Sequence, residues 1–299
     1  MDFKHVSVLL NETIDGLNIN PDGIYVDGTL GGGGHSYEIC KRLSDKGRLI
    51  GIDQDGEALE AARERLKEFE DKITLVRSNY CEIDTILKDL GIEKVDGIVL
   101  DLGVSSYQLD NLERGFSYKN EGPLDLRLDP SKGEPASERL KKLTKDEFTG
   151  MLIENSDEPY AKEIATEVFN EFRKKKEINT TTDLYKAIEK ALSFIPEKER
   201  KDAVKKSSQR TFQALRIDVN SEFEVLEEFL QKLPYVMKEG GRIAILTFHS
   251  GEDRLVKQYF KMYKRDGVLS EISDVIRPSA AECARNGRAR STKLRWAVR

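Results

Sequence analysis

The chain has 299 residues and a mass of 34.0 kDa, of which 38% are hydrophobic and 34% charged. This length predicts about two domains with a sizeable core, and the composition excludes wholesale disorder. No apolar run approaches the ~20 residues that span a bilayer. The N-terminus carries Asp2 and His5 among its apolar residues and lacks a small-residue cleavage site, so it is not a secretory signal. We therefore expect a soluble cytoplasmic protein without a membrane partner.

The net charge of −5 excludes a surface that is basic all over. Basic residues nevertheless concentrate in residues 200–210 and 271–299. Either segment could bind phosphate or form a solvated face, and the charge alone leaves both interpretations open. The cysteines, Cys40, Cys81 and Cys283, are odd in number and lack a C-x-x-C pair. Their spacing predicts neither a disulfide framework nor a zinc site, and we expect no metal.

The first hundred residues alternate between apolar strands and helices. Predicted strands occupy residues 24–26, 48–52, 73–76 and 95–100, and predicted helices occupy residues 35–44, 56–70 and 84–90. Apolar strands that alternate with helices form a parallel sheet covered on both faces. The sequence therefore predicts an α/β fold with a doubly wound, Rossmann-like sheet.

Three of these strands end in a carboxylate, at Asp27, Asp53 and Asp101, and the glycine-rich segment 28–34 follows the first. Ligands of such sheets bind beyond the carboxyl ends of the strands. Glycines and aspartates also make ordinary turns and helix caps. Their coincidence at three strand ends favours a ligand site over that structural explanation.

The spacing of the glycines distinguishes between cofactors. An aspartate at position 53 can bind the hydroxyls of a ribose, in NAD or in S-adenosylmethionine. The glycine loop reads G-x-x-G-G-G-G, which differs from the G-x-G-x-x-G of dinucleotide-binding proteins. Asp27 directly before the loop also suits a cationic sulfonium better than a pyrophosphate. The sequence therefore favours S-adenosylmethionine.

A long polar stretch, residues 102–130, follows the fourth strand, and helical spacing dominates from residue 140 to about residue 212. Strand patterns resume at residues 242–248 and 294–298. We therefore predict a discontinuous cofactor-binding domain, residues 1–111 and 213–299, interrupted by a helical domain, residues 112–212, for substrate recognition. Two helices are predicted to begin at the caps Thr144 and Ser250.

The chain resembles the bacterial small-subunit ribosomal RNA methyltransferase H family, also called MraW. The resemblance rests on stretches near both ends and in the middle: HVSVLLNET (5–13), VDGTLGGGGHS (26–36), DGIVLDLGVSSYQLDNLERGFSY (96–118), GPLDLRLD (122–129), RTFQALRIDVN (210–220), GGRIAILTFHSGEDRLVKQYF (240–260) and NGRARSTKLRWAV (286–298). The sequence departs from the family pattern before Arg210 and at Gly251, where leucine is usual.

The resemblance implies a class I methyltransferase of seven strands that methylates the exocyclic N4 of a cytidine in the decoding region. The acceptor would be small-subunit ribosomal RNA, within the assembled small subunit, and the product of the cofactor would be S-adenosylhomocysteine. The residues implied to bind S-adenosylmethionine are Gly33, Gly34, His35, Asp53, Tyr80, Asp101 and Gln108.

The exocyclic amine is a poor nucleophile, and a hydrogen-bond acceptor would activate it. We assign that role to Asp101 or a nearby carbonyl, with Ser105 and Ser106 in the same loop. The sequence lacks the Asp-Pro-Pro-Tyr motif common in amino methyltransferases, so the aromatic residue that stacks on the base stays open. The candidates are Tyr107, Phe116 and Phe248.

For several further residues, the sequence is consistent with either a functional or a structural role. His249 could act in the site or complete a strand end, and the aspartates of segment 125–129 could order a loop or contact substrate. The arginines from 285 to 299 fit phosphate contacts, although two of them could instead flank a strand. A nicotinamide oxidoreductase, a small-molecule methyltransferase and a non-catalytic RNA-binding protein are the alternative functions.

Overall fold

A computed structural model describes residues 7–299, apart from the side chains of Ser106 and Arg288. The chain forms two compact units. The first runs to Ser105 and resumes at Phe223, and the second comprises Ser106–Glu222.

The first unit is built on a seven-stranded sheet in the order β3-β2-β1-β4-β5-β7-β6. Strands β1 to β5 are parallel, whereas β7 runs antiparallel to both β5 and β6. The strands are β1 (Ile24–Asp27), β2 (Arg48–Asp53), β3 (Ile73–Arg77), β4 (Val95–Asp101), β5 (Met237–Thr247), β6 (Glu271–Ile272) and β7 (Lys293–Val298). The central strands are buried on both faces, as a doubly wound sheet requires.

Helices cover both faces of this sheet. One hydrophobic core packs α4, α11 and α12 against it, and a second core on the other face includes α1 and α2. The helices of this unit are α1 (Leu10–Leu17), α2 (Gly34–Cys40), α3 (Gly56–Arg65), α4 (Ile83–Asp89), α11 (Glu222–Val236, whose first residue belongs to the second unit), α12 (Ser250–Arg265) and α13 (Ala280–Arg285).

The second unit is helical. Its helices are α5 (Ser106–Asp110), α6 (Ala136–Lys142), α7 (Lys145–Ser156), α8 (Ala161–Arg173), α9 (Thr181–Ala191) and α10 (Glu197–Asn220). Fully buried apolar residues, among them Phe148, Ile164 and Leu184, form its interior. Arg127 and Asp125 pair at 2.7 Å in the segment before α6, so these two residues order that segment. None of the described helices of the chain is long and apolar enough to cross a membrane.

The predicted α/β fold and its parallel strands are confirmed, with several local differences. The helix predicted to reach residue 44 ends at Cys40, and the strand predicted from residue 242 begins at Met237. The two-residue strand β6 was not predicted, because Glu271–Ile272 is too short for a periodic pattern. The helix predicted to reach residue 70 ends at Arg65 and continues as a 3-10 helix, Lys67–Lys72. Thr144 caps α7 with a capping box, as predicted. The cap of α12, however, is His249 and not Ser250.

Candidate active site

Three carboxylates lie at the same edge of the sheet. Strands β2, β1 and β4 are neighbours, and they end at Asp53, Asp27 and Asp101 respectively. Because parallel strands end at one edge, the fold places these residues side by side, with the glycine segment 28–34 directly above β1.

The glycine segment has a backbone that only glycine adopts easily. Gly31 and Gly33 have φ angles of 48° and 71°, in the left-handed region where a Cβ atom is unfavourable. The N–H of Gly31 donates to Oδ2 of Asp53 at 2.8 Å. A Cβ atom on Gly32 would meet no atom within 4 Å. The loop is thus bound to the end of β2 and open on the side of Gly32.

Hydroxyl groups hold the base of the same loop. Oγ of Ser36 donates to Asp27 at 2.6 Å, and the N–H of Thr29 donates to the other oxygen of Asp27 at 3.2 Å. Oγ1 of Thr29 accepts from the N–H of Asp101 at 2.5 Å. Asp27 is buried, and both of its oxygens bond to its own loop. Sequence reasoning did not identify Thr29 or Ser36, because no local pattern specifies these contacts.

Asp53 combines two hydrogen bonds with spare acceptor capacity. Besides Gly31, it accepts from the N–H of Asp55 at 2.9 Å. Burial raises the pKa of the Asp53 carboxyl to about 6, although the two N–H groups oppose the rise. Each carboxylate oxygen has two lone pairs, so each can accept one further hydrogen bond from a ligand hydroxyl.

Asp101 lies beside His35. Nδ1 of His35 is 3.6 Å from Oδ2 of Asp101. Burial raises the pKa of the Asp101 carboxyl to about 7, and the charges of Asp27 and Glu252 add to the rise. Oδ1 of Asp101 is inaccessible and has no hydrogen-bond partner among the described residues. A buried acceptor without a partner is costly, so this atom points to a bound group that the chain does not itself supply.

Tyr80 and Ser105 lie close to the glycine loop. Tyr80 follows β3, and its Cβ is 3.1 Å from the position that a Cβ atom on Gly28 would take. Its ring meets Phe229 edge-on, with centroids 5.6 Å apart. Cβ of Ser105 is 3.8 Å from the corresponding position on Gly31. The structure therefore brings Gly33, Gly34, His35, Asp53, Tyr80, Asp101 and Ser105 to one edge of the first unit.

Most of the other predicted residues belong to the helical unit. Gln108 is buried in α5, and the side chain of Ser106 lies outside the described residues. Of the three aromatic candidates, Phe116 is buried, whereas Tyr107 is 54% exposed. Phe248, in the first unit, packs partly against the core. Burial makes a structural role the simplest explanation for Phe116.

A buried glutamate, Glu252, lies in the first turn of α12, just beyond the end of β5. Nε2 of His249 is 3.1 Å from Oε1 of Glu252, and Oε2 of Glu252 accepts from the N–H of Phe248 at 2.7 Å. Gly251, where the sequence departs from the family pattern, leaves room for Phe223. A Cβ atom there would lie 2.4 Å from the Phe223 ring. The departure is therefore matched by a neighbouring aromatic side chain.

The C-terminal arginines fall into two groups, those that lie in or bond to the sheet and those that are exposed. Arg295 lies in β7 and pairs with the Asp253 carboxylate at 2.8 Å. Arg299 follows β7 and donates to the carbonyl of Met237, where β5 begins. These two arginines therefore support the sheet, and Arg285 and Arg290 stay exposed.

The strand order, the antiparallel β7, the glycine loop and the three strand-end carboxylates define a Rossmann-like methyltransferase. The profile of the MraW methylase family matches residues 2–299. The chain belongs to this family, and its cofactor is S-adenosylmethionine. The resemblance found in the sequence is thereby confirmed.

The sequences of named relatives align with nearly the whole chain. A protein of Agathobacter rectalis named ribosomal RNA small subunit methyltransferase H 1 is 54% identical over 299 residues, covering 99% of this chain and 85% of the relative. A protein of the same name from Lachnoclostridium phytofermentans is 52% identical, covering 99% and 81%. The ribosomal RNA small subunit methyltransferase H of Clostridioides difficile is 45% identical, covering 99% of both chains.

Proposed function

We propose that this protein transfers the methyl group of S-adenosylmethionine to the exocyclic N4 of a cytidine in the decoding region of small-subunit ribosomal RNA. The names of the relatives support ribosomal RNA as the acceptor, and the resemblance of the sequence to the family supports N4. We place the acceptor within the assembled small subunit, in the cytoplasm.

The residues at the strand ends suit the cofactor. Asp53 accepts the ribose hydroxyls with its spare lone pairs, and the open side of Gly32 lets the ligand approach the backbone closely. Tyr80 packs on the adenine, and Gly33, Gly34, His35 and Gln108 complete the contacts that the family motif implies. When bound, the cofactor supplies an electrophilic methyl group on a sulfonium.

The observation that carries the mechanism is the environment of Asp101. Its Oδ1 atom is buried without a partner, and its pKa of about 7 lets it alternate between acceptor and acid near neutral pH. We assign Asp101 the hydrogen bond from the N4 amine. The N4–C bond forms as the S–C bond breaks, and the proton of the amine passes to Asp101. Ser105, in the loop that follows β4, positions the amine.

The test is transfer of labelled methyl groups to small subunits from cells that lack this enzyme, with nucleoside analysis of the product. We expect labelled N4-methylcytidine. The Asp101→Ala variant, with cofactor binding and turnover measured separately, tests the assignment of the acceptor. Turnover that survives with normal cofactor affinity would exclude Asp101, and incorporation into a different nucleoside would overturn the proposed acceptor.

A further inference from the structure

A cleft with a volume of about 300 Å³ opens at the β6 edge of the sheet, on the face that α12 covers. Three basic side chains and three apolar ones line most of it: Lys257, Lys261, Arg295, Phe260, Ile272 and Val275. None of the roles proposed above uses it. The cleft combines positive charge, which can follow a nucleic-acid backbone, with an apolar wall that a base can contact.

The positive charge of the cleft is available to a ligand. Lys257 and Lys261 lie one turn apart on α12 and are both exposed. Neither forms an ion pair with any residue in the part of the chain that the structure describes. Arg295, in contrast, is held in place by Asp253, which also binds Lys293 at 2.8 Å. Two exposed ammonium groups therefore line the cleft together with one guanidinium that an ion pair holds.

The apolar wall gives the cleft a surface on which a base can rest. Phe260 is buried beneath it, and Val275 at its rim is 37% exposed. Asp274 is the acidic residue of the lining, so three cations face one carboxylate. The volume suits a single nucleotide and is too small for a duplex.

The pairing of the strands indicates how far the cleft lies from Asp101. Asp101 pairs with Leu246 on β5, and Leu246 pairs with Leu294 on β7. Leu294 is therefore two strand spacings, about 10 Å, from Asp101. Arg295 is the next residue along β7. An extended RNA strand with one nucleotide at Asp101 reaches this distance within a few nucleotides.

We propose that this cleft binds a nucleotide of the acceptor RNA that flanks the target cytidine. Lys257 and Lys261 contact backbone phosphate, and the base rests against Ile272 and Val275, above the buried Phe260. The inference rests on the proposed function, because it takes single-stranded ribosomal RNA as the acceptor. RNA is favoured over an acidic protein partner because the paired lysines stand directly beside an apolar wall sized for one base.

The test compares the Lys257→Glu/Lys261→Glu double variant with a matched control, Arg63→Glu/Lys67→Glu. The control residues are also exposed and four positions apart, and both variants change the net charge equally. Binding of a short single-stranded oligouridylate is measured by fluorescence anisotropy over a range of salt concentrations. Methyl transfer to small subunits supplies KM for the acceptor and kcat, and titration supplies the Kd for S-adenosylmethionine.

We expect the Lys257/Lys261 variant to bind the oligonucleotide at least about tenfold more weakly at low salt, with a log–log salt slope reduced by about 1.4 for two lost contacts. KM for the subunit should rise with an unchanged Kd for the cofactor, and the control should match the wild type in each measurement. Oligonucleotide binding and KM equal to those of the control would overturn the proposal. A raised KM with unchanged oligonucleotide binding would assign the cleft to a ribosomal protein instead. Failure of the wild-type protein to methylate subunits would contradict the proposed function, independently of these comparisons.

Discussion

Nδ1 of His35 lies 3.6 Å from Oδ2 of Asp101, and the two residues come from the start of α2 and the end of β4. The pair lies where the glycine loop meets the central strand of the sheet. The burial that brings them together also raises the pKa of Asp101 to about 7. This shift makes the activity dependent on pH in a defined direction.

Asp101 accepts a proton only when it is ionised, so kcat/KM should rise tenfold per pH unit below about pH 7 and level off above it. The Glu252→Gln variant removes a negative charge that raises this pKa, and it should move the midpoint to lower pH. Glu239→Gln, at an exposed position of β5, serves as the control. The measurement is methyl transfer under single-turnover conditions from pH 5.5 to 9. A rate that does not vary with pH over this range, or a midpoint that Glu252→Gln leaves in place, would contradict the role of Asp101.

Asp53 should contribute to cofactor affinity through its charge. Replacing Asp53 by Asn removes a charged acceptor from the ribose hydroxyls, which is worth about 1.5–3 kcal/mol and thus roughly ten- to a hundredfold in Kd. Calorimetric titration with S-adenosylhomocysteine measures this change. Asp45→Asn is the matched control, because Asp45 is exposed in the loop before β2. Equal affinities for the two variants would exclude Asp53 from the cofactor site.

Three neighbouring glycines should respond differently to replacement by alanine. Gly33→Ala places a side chain at a φ of 71°, which costs about 1–2 kcal/mol of the free energy of unfolding. Gly34→Ala puts a Cβ atom 2.0 Å from Oγ of Ser7, and such overpacking costs about 1–3 kcal/mol.

Gly32→Ala is the informative contrast, because its Cβ atom would meet no atom of the described chain within 4 Å. We expect unchanged urea unfolding of the cofactor-free protein but weaker cofactor binding, since the methyl group enters the open side of the loop. Normal cofactor affinity in Gly32→Ala would place the ligand elsewhere.

Local patterns in the sequence predict the strand ends of the site, whereas contacts between distant residues are not predictable from them. The strand ends at Asp27, Asp53 and Asp101 were predictable, because each follows an apolar run whose length and composition indicate a buried strand. The contact between Thr29 and Asp101 spans 72 residues, and no spacing in the sequence specifies it. The cap of α12 is His249 and not the predicted Ser250. The imidazole of His249 accepts the hydrogen bond from the N–H of Glu252 that a hydroxyl oxygen usually accepts at a helix start. The sequence thus predicts which residues reach the edge of the sheet, whereas tertiary packing decides which of them face a ligand.

Ionisation of the buried Asp27 carboxyl should lower the free energy of unfolding as the pH rises. Burial raises the pKa of its carboxyl from 3.8 to about 6, against the effect of the hydrogen bond from Ser36. The folded state therefore holds this proton more tightly than the unfolded state does. The contribution of Asp27 to the free energy of unfolding should therefore fall by at most about 3 kcal/mol between about pH 4 and pH 6 and stay constant above pH 6.

The Asp27→Asn variant lacks this titration, so its free energy of unfolding relative to the wild type should increase from pH 4 to pH 7. Urea unfolding of the cofactor-free proteins at several pH values measures the difference. Ser36→Ala removes the hydrogen bond that lowers the pKa, and it should extend the decline of stability to higher pH. A difference between Asp27→Asn and the wild type that does not vary with pH would show that Asp27 titrates at its ordinary value. Its burial would then be fully offset by the hydrogen bonds of the loop.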